Sequence, residues 1–121
     1  MSALTRMMDR LGRDQAQLEA DEVARECARP GCQSVESLVE REVAQVTGVV
    51  HSLAVPPHGR RPEVRVELYD GTGVLELIWL GRRAIAGIQP GTYLTVRGRV
   101  ACEDDRLVMY NPGYDLLPSR G

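Results

Sequence analysis

The sequence contains no lysine and no phenylalanine, and aromatic residues are few. One tryptophan and four tyrosines occur in 121 residues. A hydrophobic core must therefore consist mainly of valine and leucine, a composition that suits strands. Without lysine the chain cannot contain the phosphate-binding motif G-x-x-x-x-G-K-[ST], which excludes an ATPase motor built on that loop.

Long hydrophobic runs are also lacking. No segment approaches the roughly 20 apolar residues that a membrane-spanning helix needs. The N-terminus lacks an apolar signal core followed by a small-residue cleavage site, so we expect a cytoplasmic protein without a membrane partner. The length indicates one domain.

Charge is nearly balanced overall but unevenly distributed. All fifteen basic residues are arginine, and the net charge is −2. Residues 1–40 carry five arginines against eight acidic residues, whereas residues 41–121 carry ten against nine. The second part can therefore hold a local basic patch. Arginine suits such a patch, because its planar fork binds phosphates and stacks on bases.

Three cysteines are too few for a convincing metal site. Cys27 and Cys32 flank Pro30-Gly31 at the spacing of half a zinc site, but no second pair accompanies them. We predict no metal and no cofactor. The cysteines are expected to be reduced thiols, with a local disulfide as the alternative.

A hairpin organises the second part of the chain. Residues 64–69 and 74–80 alternate between apolar and polar side chains, which is typical of half-buried strands. Asp70-Gly71-Thr72-Gly73 joins them, and Asp-Gly is a strong turn signal because glycine adopts positive φ easily.

The N-terminal segment is predicted to be a helix over residues 3–26. Leu4, Met7, Met8 and Leu11 form an apolar stripe, and the stripe continues only weakly through Leu18. Either the stripe packs on the rest of the protein, or it binds a protein partner or a second copy of the chain.

The remaining pattern predicts a five-stranded OB-fold barrel, an all-β fold. The first strand covers about 42–55, the fourth 92–101 and the fifth 106–110. A short helical segment, 82–86, is expected between strands 3 and 4, and it counts against an SH3-type barrel. Gly48 in the first strand indicates a bulge or a bend. We assign residues 1–34 to the helix and connector, 35–117 to the OB-fold domain and 118–121 to a tail.

Four segments of this domain resemble the OB-fold nucleic-acid-binding family. Their sequences are VTGVV (46–50), ELYDGTG (67–73), VRGRV (96–100) and MYNPGY (109–114). They are similar to the wedge domain of RecG-type branch-migration helicases. Residues 78–88 are more similar to small stand-alone actinobacterial OB-fold proteins.

The resemblance implies a nucleic-acid-binding protein. We expect no enzymatic activity, because the phosphate-binding loop is missing and neither histidine has an evident serine or cysteine partner for nucleophilic catalysis. The expected ligand is single-stranded or branched DNA, or RNA, and the expected role is an accessory one in DNA repair or recombination. OB-folds bind such ligands across strands 2 and 3 and the adjoining loops. The acidic loop 103–105 does not suit such a ligand, because it repels phosphate. The candidate binding residues are Arg60, Arg61, Arg65, Tyr69, Trp79, Arg82, Arg83 and Arg97.

Two points remain open at this stage. Trp79 shares a strand face with Leu75 and Leu77, which indicates a core residue, although a bulge at the end of the strand would turn it outward as a base-stacking platform. The alternative function is a protein-interaction module that uses the N-terminal helix or an edge of the barrel.

Overall fold

A computed structural model describes residues 3–118, except for the side chains of residues 3–5 and 7–10. Within it, one long helix precedes a mostly β domain, as the sequence predicts. Most of the expected tail lies outside the described residues. The elements are α1 (Ala3–Cys27), a 3-10 turn (Val35–Ser37), β1 (Val43–Ala54), β2 (Glu63–Tyr69), β3 (Val74–Leu80), β4 (Tyr93–Arg99), β5 (Ala101–Glu103), β6 (Arg106–Tyr110) and β7 (Gly113–Leu116).

All strands belong to one mixed sheet in the order β5-β6-β3-β2-β1-β4-β7. Among the described strands, only the β3–β6 pair is parallel. The expected fourth strand is present as two pieces, β4 and β5, which are separated by Val100 alone. The Val100 N–H donates to the Glu42 carbonyl at 2.8 Å, and the Val100 carbonyl accepts from the Arg41 N–H at 2.7 Å. With β7 in addition, the sheet has seven segments where the sequence predicts a five-stranded barrel.

The alternation of apolar and polar residues predicted for the hairpin determines which of its side chains are buried in the core. Val64, Val66 and Leu68 of β2 are fully buried, and so are Leu75 and Leu77 of β3. Burial of one such side chain contributes about 1.5–3 kcal/mol. The core therefore consists mainly of aliphatic residues, as the scarcity of aromatic residues requires.

Gly48 lies at a close approach between two strands. A Cβ there would lie 2.6 Å from Cγ of Leu68 and 2.9 Å from the Tyr69 carbonyl oxygen. The register of β1 against β2 shifts two residues later, between Val50 and Ser52. The sequence predicts a bulge or a bend at Gly48, and the irregularity in the register lies beyond it, toward the end of β1.

Two elements differ from the sequence prediction. Residues 82–86 form no helix, because the segment is anchored by two buried isoleucines, Ile85 and Ile88, joined by a turn hydrogen bond of 3.2 Å. Gly81 and Gly87, with φ of 77° and 80°, turn the chain on either side of Ile85. The second difference is β7, which follows the last predicted strand and pairs with β4.

Among the side chains that the structure describes, those in the last turns of α1 contact the domain. A Cβ on Gly71 would lie 2.4 Å from the Ala20 carbonyl oxygen and 2.6 Å from the Ala24 nitrogen, so the helix backbone lies directly against the β2–β3 turn. In contrast, all side chains of residues 11–19 are exposed. Among the described residues, no helix is both long enough and apolar enough to cross a membrane.

Candidate nucleic-acid interface

Four of the predicted binding residues come together at one end of the β2–β3 hairpin. Arg60 and Arg61 lie in the loop that enters β2, and Arg82 and Arg83 follow β3. Pairing of Glu63 with Leu80 brings the two loops side by side. The Gly81 N–H donates to the Pro62 carbonyl at 2.9 Å, and Nη2 of Arg83 lies 3.5 Å from the Arg60 carbonyl oxygen. We call Arg60, Arg61, Arg82 and Arg83 the arginine end.

The side chains of the arginine end are open to solvent. All four are exposed, and the part of the chain that the structure describes contains no ion pair to any of them. Val55 and Leu80, 41% and 52% exposed, add apolar surface nearby in sequence. Four uncompensated guanidinium groups in two adjacent loops are suited to the phosphates of a nucleic acid.

Arg65 lies on the outer face of β2, and two carboxylates hold it. Its Nη1 is 2.7 Å from Oε1 of Glu76, and its Nε is 3.2 Å from Oε2 of Glu63. The hydrogen bond to Glu76 is the main reason that the pKa of Arg65 is raised. The positive charge of Arg65 is therefore offset within the protein.

The outer face around Arg65 is acidic. A cavity of about 420 Å³ is lined by Arg65, Glu76, Glu103, Asp104 and Arg106. The Tyr110 hydroxyl donates to Glu103, and this hydrogen bond raises the pKa of Tyr110. An OB-fold is expected to bind across β2 and β3. On its outer face β2 also carries Glu63 and Glu67. The acidic loop 103–105 thus extends a face that repels phosphate.

Tyr69 lies away from the arginine end. It is the last residue of β2, six residues after Glu63, which at roughly 3.3 Å per residue places it about 20 Å along the strand. The Tyr69 ring makes an edge contact with His51, with a centroid distance of 6.5 Å. It is half-buried and is not combined with the four arginines in one surface.

Trp79 is a core residue, which corrects its assignment as a nucleic-acid contact. Its side chain is 5% exposed. The indole Nε1–H donates to the Pro112 carbonyl at 3.1 Å, and the ring packs edge-on against Tyr114 at 5.8 Å. The indole ring of Trp79 is therefore packed inside the protein and its N–H is hydrogen-bonded there, so the ring offers no exposed surface on which a base could stack.

Arg97 lies on another part of the sheet. It is exposed on β4, where it pairs with Gln45 of β1 and Gly113 of β7. Two strands separate β4 from β3 in the sheet order. The structure therefore joins four of the eight predicted residues. Arg65 lies on the adjoining strand face with its charge offset, and Tyr69, Trp79 and Arg97 lie elsewhere.

Sequence reasoning missed the role of Asp70. This carboxylate is 3% exposed and accepts four hydrogen bonds. Its Oδ1 binds the Thr72 N–H at 2.9 Å, the Thr72 hydroxyl at 2.7 Å and the Gly73 N–H at 3.1 Å. Its Oδ2 binds the Val35 N–H at 2.8 Å. The turn therefore attaches the connector after α1 to the β domain. The sequence feature that could have indicated this role is the Asp-Gly-Thr-Gly turn itself.

All three cysteines are free thiols, and Cys27 and Cys32 lie near this turn. Cys27 is buried, and burial, together with the charges of Asp70 and Glu26, raises the pKa of its thiol to about 12. Sγ of Cys32 lies 3.3 Å from Oγ1 of Thr47. Among the described residues, no group of three or more potential ligands is placed to hold a metal ion.

Comparison with known proteins identifies the fold and leaves the family open. No family model and no curated protein matches the chain. The chain is similar to one in a structure of a replication protein A heterotrimer bound to single-stranded DNA. The TM-score is 0.51, the identity is 15%, and the match covers 79% of this chain and 75% of that chain. This similarity in fold agrees with the OB-fold expectation. It does not single out the actinobacterial or wedge-domain proteins.

Proposed function

We propose that the protein is a non-enzymatic OB-fold protein that binds single-stranded nucleic acid through its arginine end. The observation that carries this proposal is the convergence of Arg60, Arg61, Arg82 and Arg83 in two adjacent exposed loops. The chain also resembles in fold a chain of a heterotrimer bound to single-stranded DNA, and this likeness supports single-stranded nucleic acid as the ligand.

The proposed site differs from the strand face on which OB-folds are expected to bind. Arg65 is held there by Glu63 and Glu76, and Glu103 and Asp104 add further negative charge. A phosphate backbone approaching that face would be repelled. The arginine end lies beside it, so a single strand would enter over the loops and avoid the acidic strands.

The expected binding is modest and salt-dependent. The protein has a net charge of −2, so attraction must come from a local patch. If the four arginines each neutralise one phosphate, the slope of log K against log salt is about −3 for single strands. Between 50 mM and 200 mM salt, affinity should then fall by about 50-fold.

Among nucleic acids, we propose single-stranded or branched DNA as the ligand and an accessory role in DNA repair or recombination. The resemblance of residues 41–117 to OB-fold wedge domains motivates this choice. A base exposed by strand separation can stack on a guanidinium plane, whereas duplex bases cannot. Single strands and forks should therefore bind more tightly than duplex of equal length.

The test is fluorescence anisotropy with labelled single-stranded DNA, forked DNA, duplex DNA and single-stranded RNA. Each probe is titrated with the full chain at several salt concentrations. Binding to single strands with the expected salt slope supports the proposal. Absence of binding at low salt refutes it, and equal affinity for RNA and DNA would withdraw the assignment to DNA.

Paired variants locate the site. Replacing Arg60 and Arg61 with alanine, or Arg82 and Arg83 with alanine, should each reduce the magnitude of the salt slope by about 1.4. The matched control is Arg97→Ala with Arg106→Ala, which removes the same charge from other exposed positions. An equal loss in the control would show that net charge, and not the arginine end, governs binding.

A protein-interaction module is the second candidate function. The exposure of Leu11 and Leu18 on α1 favours it, because these side chains have no partner surface within the described part of the chain. The two functions use different parts of the molecule and do not exclude each other.

A further inference from the structure

The first part of α1 is an amphipathic helix, and the domain leaves all of its side chains from residue 11 to residue 19 exposed. Among the described residues, Ala20 and Ala24 of α1 lie against Gly71 of the domain. Residues 3–19 therefore cover about 25 Å of helix beyond this contact, at 1.5 Å per residue. In proteins most helical stability comes from packing of an apolar face, so a partner surface would stabilise this segment.

The exposed apolar side chains of this segment lie on one side of the helix. Leu11 and Leu18 are 63% and 62% exposed, the largest exposures among the large hydrophobic residues of the described chain. They are seven residues apart, which places them on one side of the helix two turns from each other. The structure therefore rules out packing of this part of the stripe on the domain. The side chains of Leu4, Met7 and Met8 lie outside the described residues.

The charge of the helix reverses along its length. Residues 3–13 contain three arginines and one aspartate, for a net charge of +2. Residues 14–26 contain five acidic residues and one arginine, for a net charge of −4. Such a helix is complementary to a second copy of itself that runs in the opposite direction. In a parallel pair, each half would face a half of the same sign.

We propose that α1 pairs with α1 of a second copy in an antiparallel arrangement, with Leu11 of one helix against Leu18 of the other. This register places the basic half of each helix beside the acidic half of its partner. The two leucine contacts lie at the centre of the pair, and the charges lie on either side. A dimer of this kind holds two β domains at opposite ends of the paired helices. It does not depend on nucleic-acid binding.

The first experiment is sedimentation velocity on the full chain from low to high micromolar concentration. At low salt we expect a concentration-dependent dimer, which dissociates as salt screens the charged halves. In the Leu11→Ser/Leu18→Ser variant the dimer should be lost, while the melting temperature of the β domain stays the same. The control is Leu80→Ser, which changes an exposed leucine of β3 and should leave the dimer intact.

The direction of pairing has its own test. Glu19→Arg with Glu22→Arg changes the acidic half from −4 to neutral, so an antiparallel dimer should weaken. A parallel dimer would tighten, because two acidic halves would no longer face each other. Glu40→Arg with Asp115→Arg makes the same charge change outside the helix and should have little effect. A wild-type chain that is monomeric at every concentration, or a dimer that survives loss of both leucines, overturns the proposal.

Discussion

The two ends of the β2–β3 hairpin differ in what surrounds their polar groups. At the turn end, Asp70 is nearly fully buried and all four of its hydrogen bonds come from the protein itself. At the arginine end, Arg82 and Arg83 are exposed and lack ion pairs within the described chain. Both ends carry recognisable sequence motifs, but among the described residues the arginine end is the one whose polar groups are free to bind a ligand.

The comparison separates a structural motif from a candidate binding motif. Buried polar groups that are fully hydrogen-bonded fix a single arrangement of the chain. Exposed guanidinium groups in adjacent loops add little to stability and remain free to bind. Substitutions at the turn end should therefore reduce stability, whereas substitutions at the arginine end should reduce affinity alone.

The largest effect is expected for Asp70→Ala. The change leaves the backbone N–H groups of Val35, Thr72 and Gly73 without their acceptor. Because unsatisfied buried groups are costly, the free energy of unfolding should fall by about 3–5 kcal/mol. Urea unfolding measures this change.

The opposite end supplies the matched control for Asp70. Arg82→Ala/Arg83→Ala should alter the free energy of unfolding by less than about 0.5 kcal/mol. If the two variants have equal stability, the turn does not attach the connector in the way that the hydrogen bonds indicate.

A smaller loss is expected for Gly71→Ala. The residue has φ of 90°, and a Cβ would lie 2.4 Å from the Ala20 carbonyl oxygen, so the helix must move away. Strain and displacement together should cost about 2–4 kcal/mol. The separated helix should also become more sensitive to trypsin at Arg25 and Arg29.

Gly59 provides the control for backbone strain alone. It has φ of 95°, but a Cβ added there would meet no atom within 4 Å, so Gly59→Ala should cost about 1 kcal/mol. The difference between the two alanine variants measures the close approach of the helix. Equal losses would mean that the helix does not rest on the turn.

The Cys27 thiol gives a pH-dependent probe of the same end. Its pKa is raised to about 12 by burial and by the charges of Asp70 and Glu26. Above pH 9 the unfolded chain releases this proton and the folded chain keeps it, so stability falls by about 1.4 kcal/mol per pH unit. We expect the stability of the wild type, relative to Cys27→Ala, to decrease by about 2 kcal/mol between pH 9 and 10.5. Parallel curves for the two proteins would contradict burial of this thiol.

Strand periodicity allowed most of the β domain to be predicted from the sequence. Alternation placed Val64, Val66 and Leu68 inside, and it favoured a core position for Trp79. The four arginines of the proposed site were also singled out from the sequence, because they occur as adjacent pairs in loops. Their convergence depends on the pairing of β2 with β3, which the hairpin turn already predicted.

Long-range packing limited the rest of the prediction. The helical pattern of residues 82–86 is overridden, because burial of Ile85 and Ile88 decides the path of this segment. The outer face was predicted to bind through Arg65, but Glu63 and Glu76 come together around it only in the folded sheet. Asp70 resembled an ordinary turn residue, since its bond to Val35 spans 35 positions of sequence.

The smallest effect is expected for Arg65→Ala. Because Glu63 and Glu76 already hold its side chain, loss of this arginine should change affinity for single-stranded DNA far less than loss of Arg60 and Arg61. Anisotropy titrations under identical salt conditions provide the comparison. An equal loss would move the proposed site from the arginine end to the strand face.

The reciprocal change makes this comparison sharper. Glu63→Gln with Glu76→Gln removes both carboxylates and frees the Arg65 guanidinium next to the arginine end. One additional phosphate contact would steepen the salt slope by about 0.7. The same double variant combined with Arg65→Ala should lose that increment and keep only the benefit of a less acidic face. If freeing Arg65 leaves the slope unchanged, the bound strand does not pass over β2, and the two exposed loops alone form the binding surface.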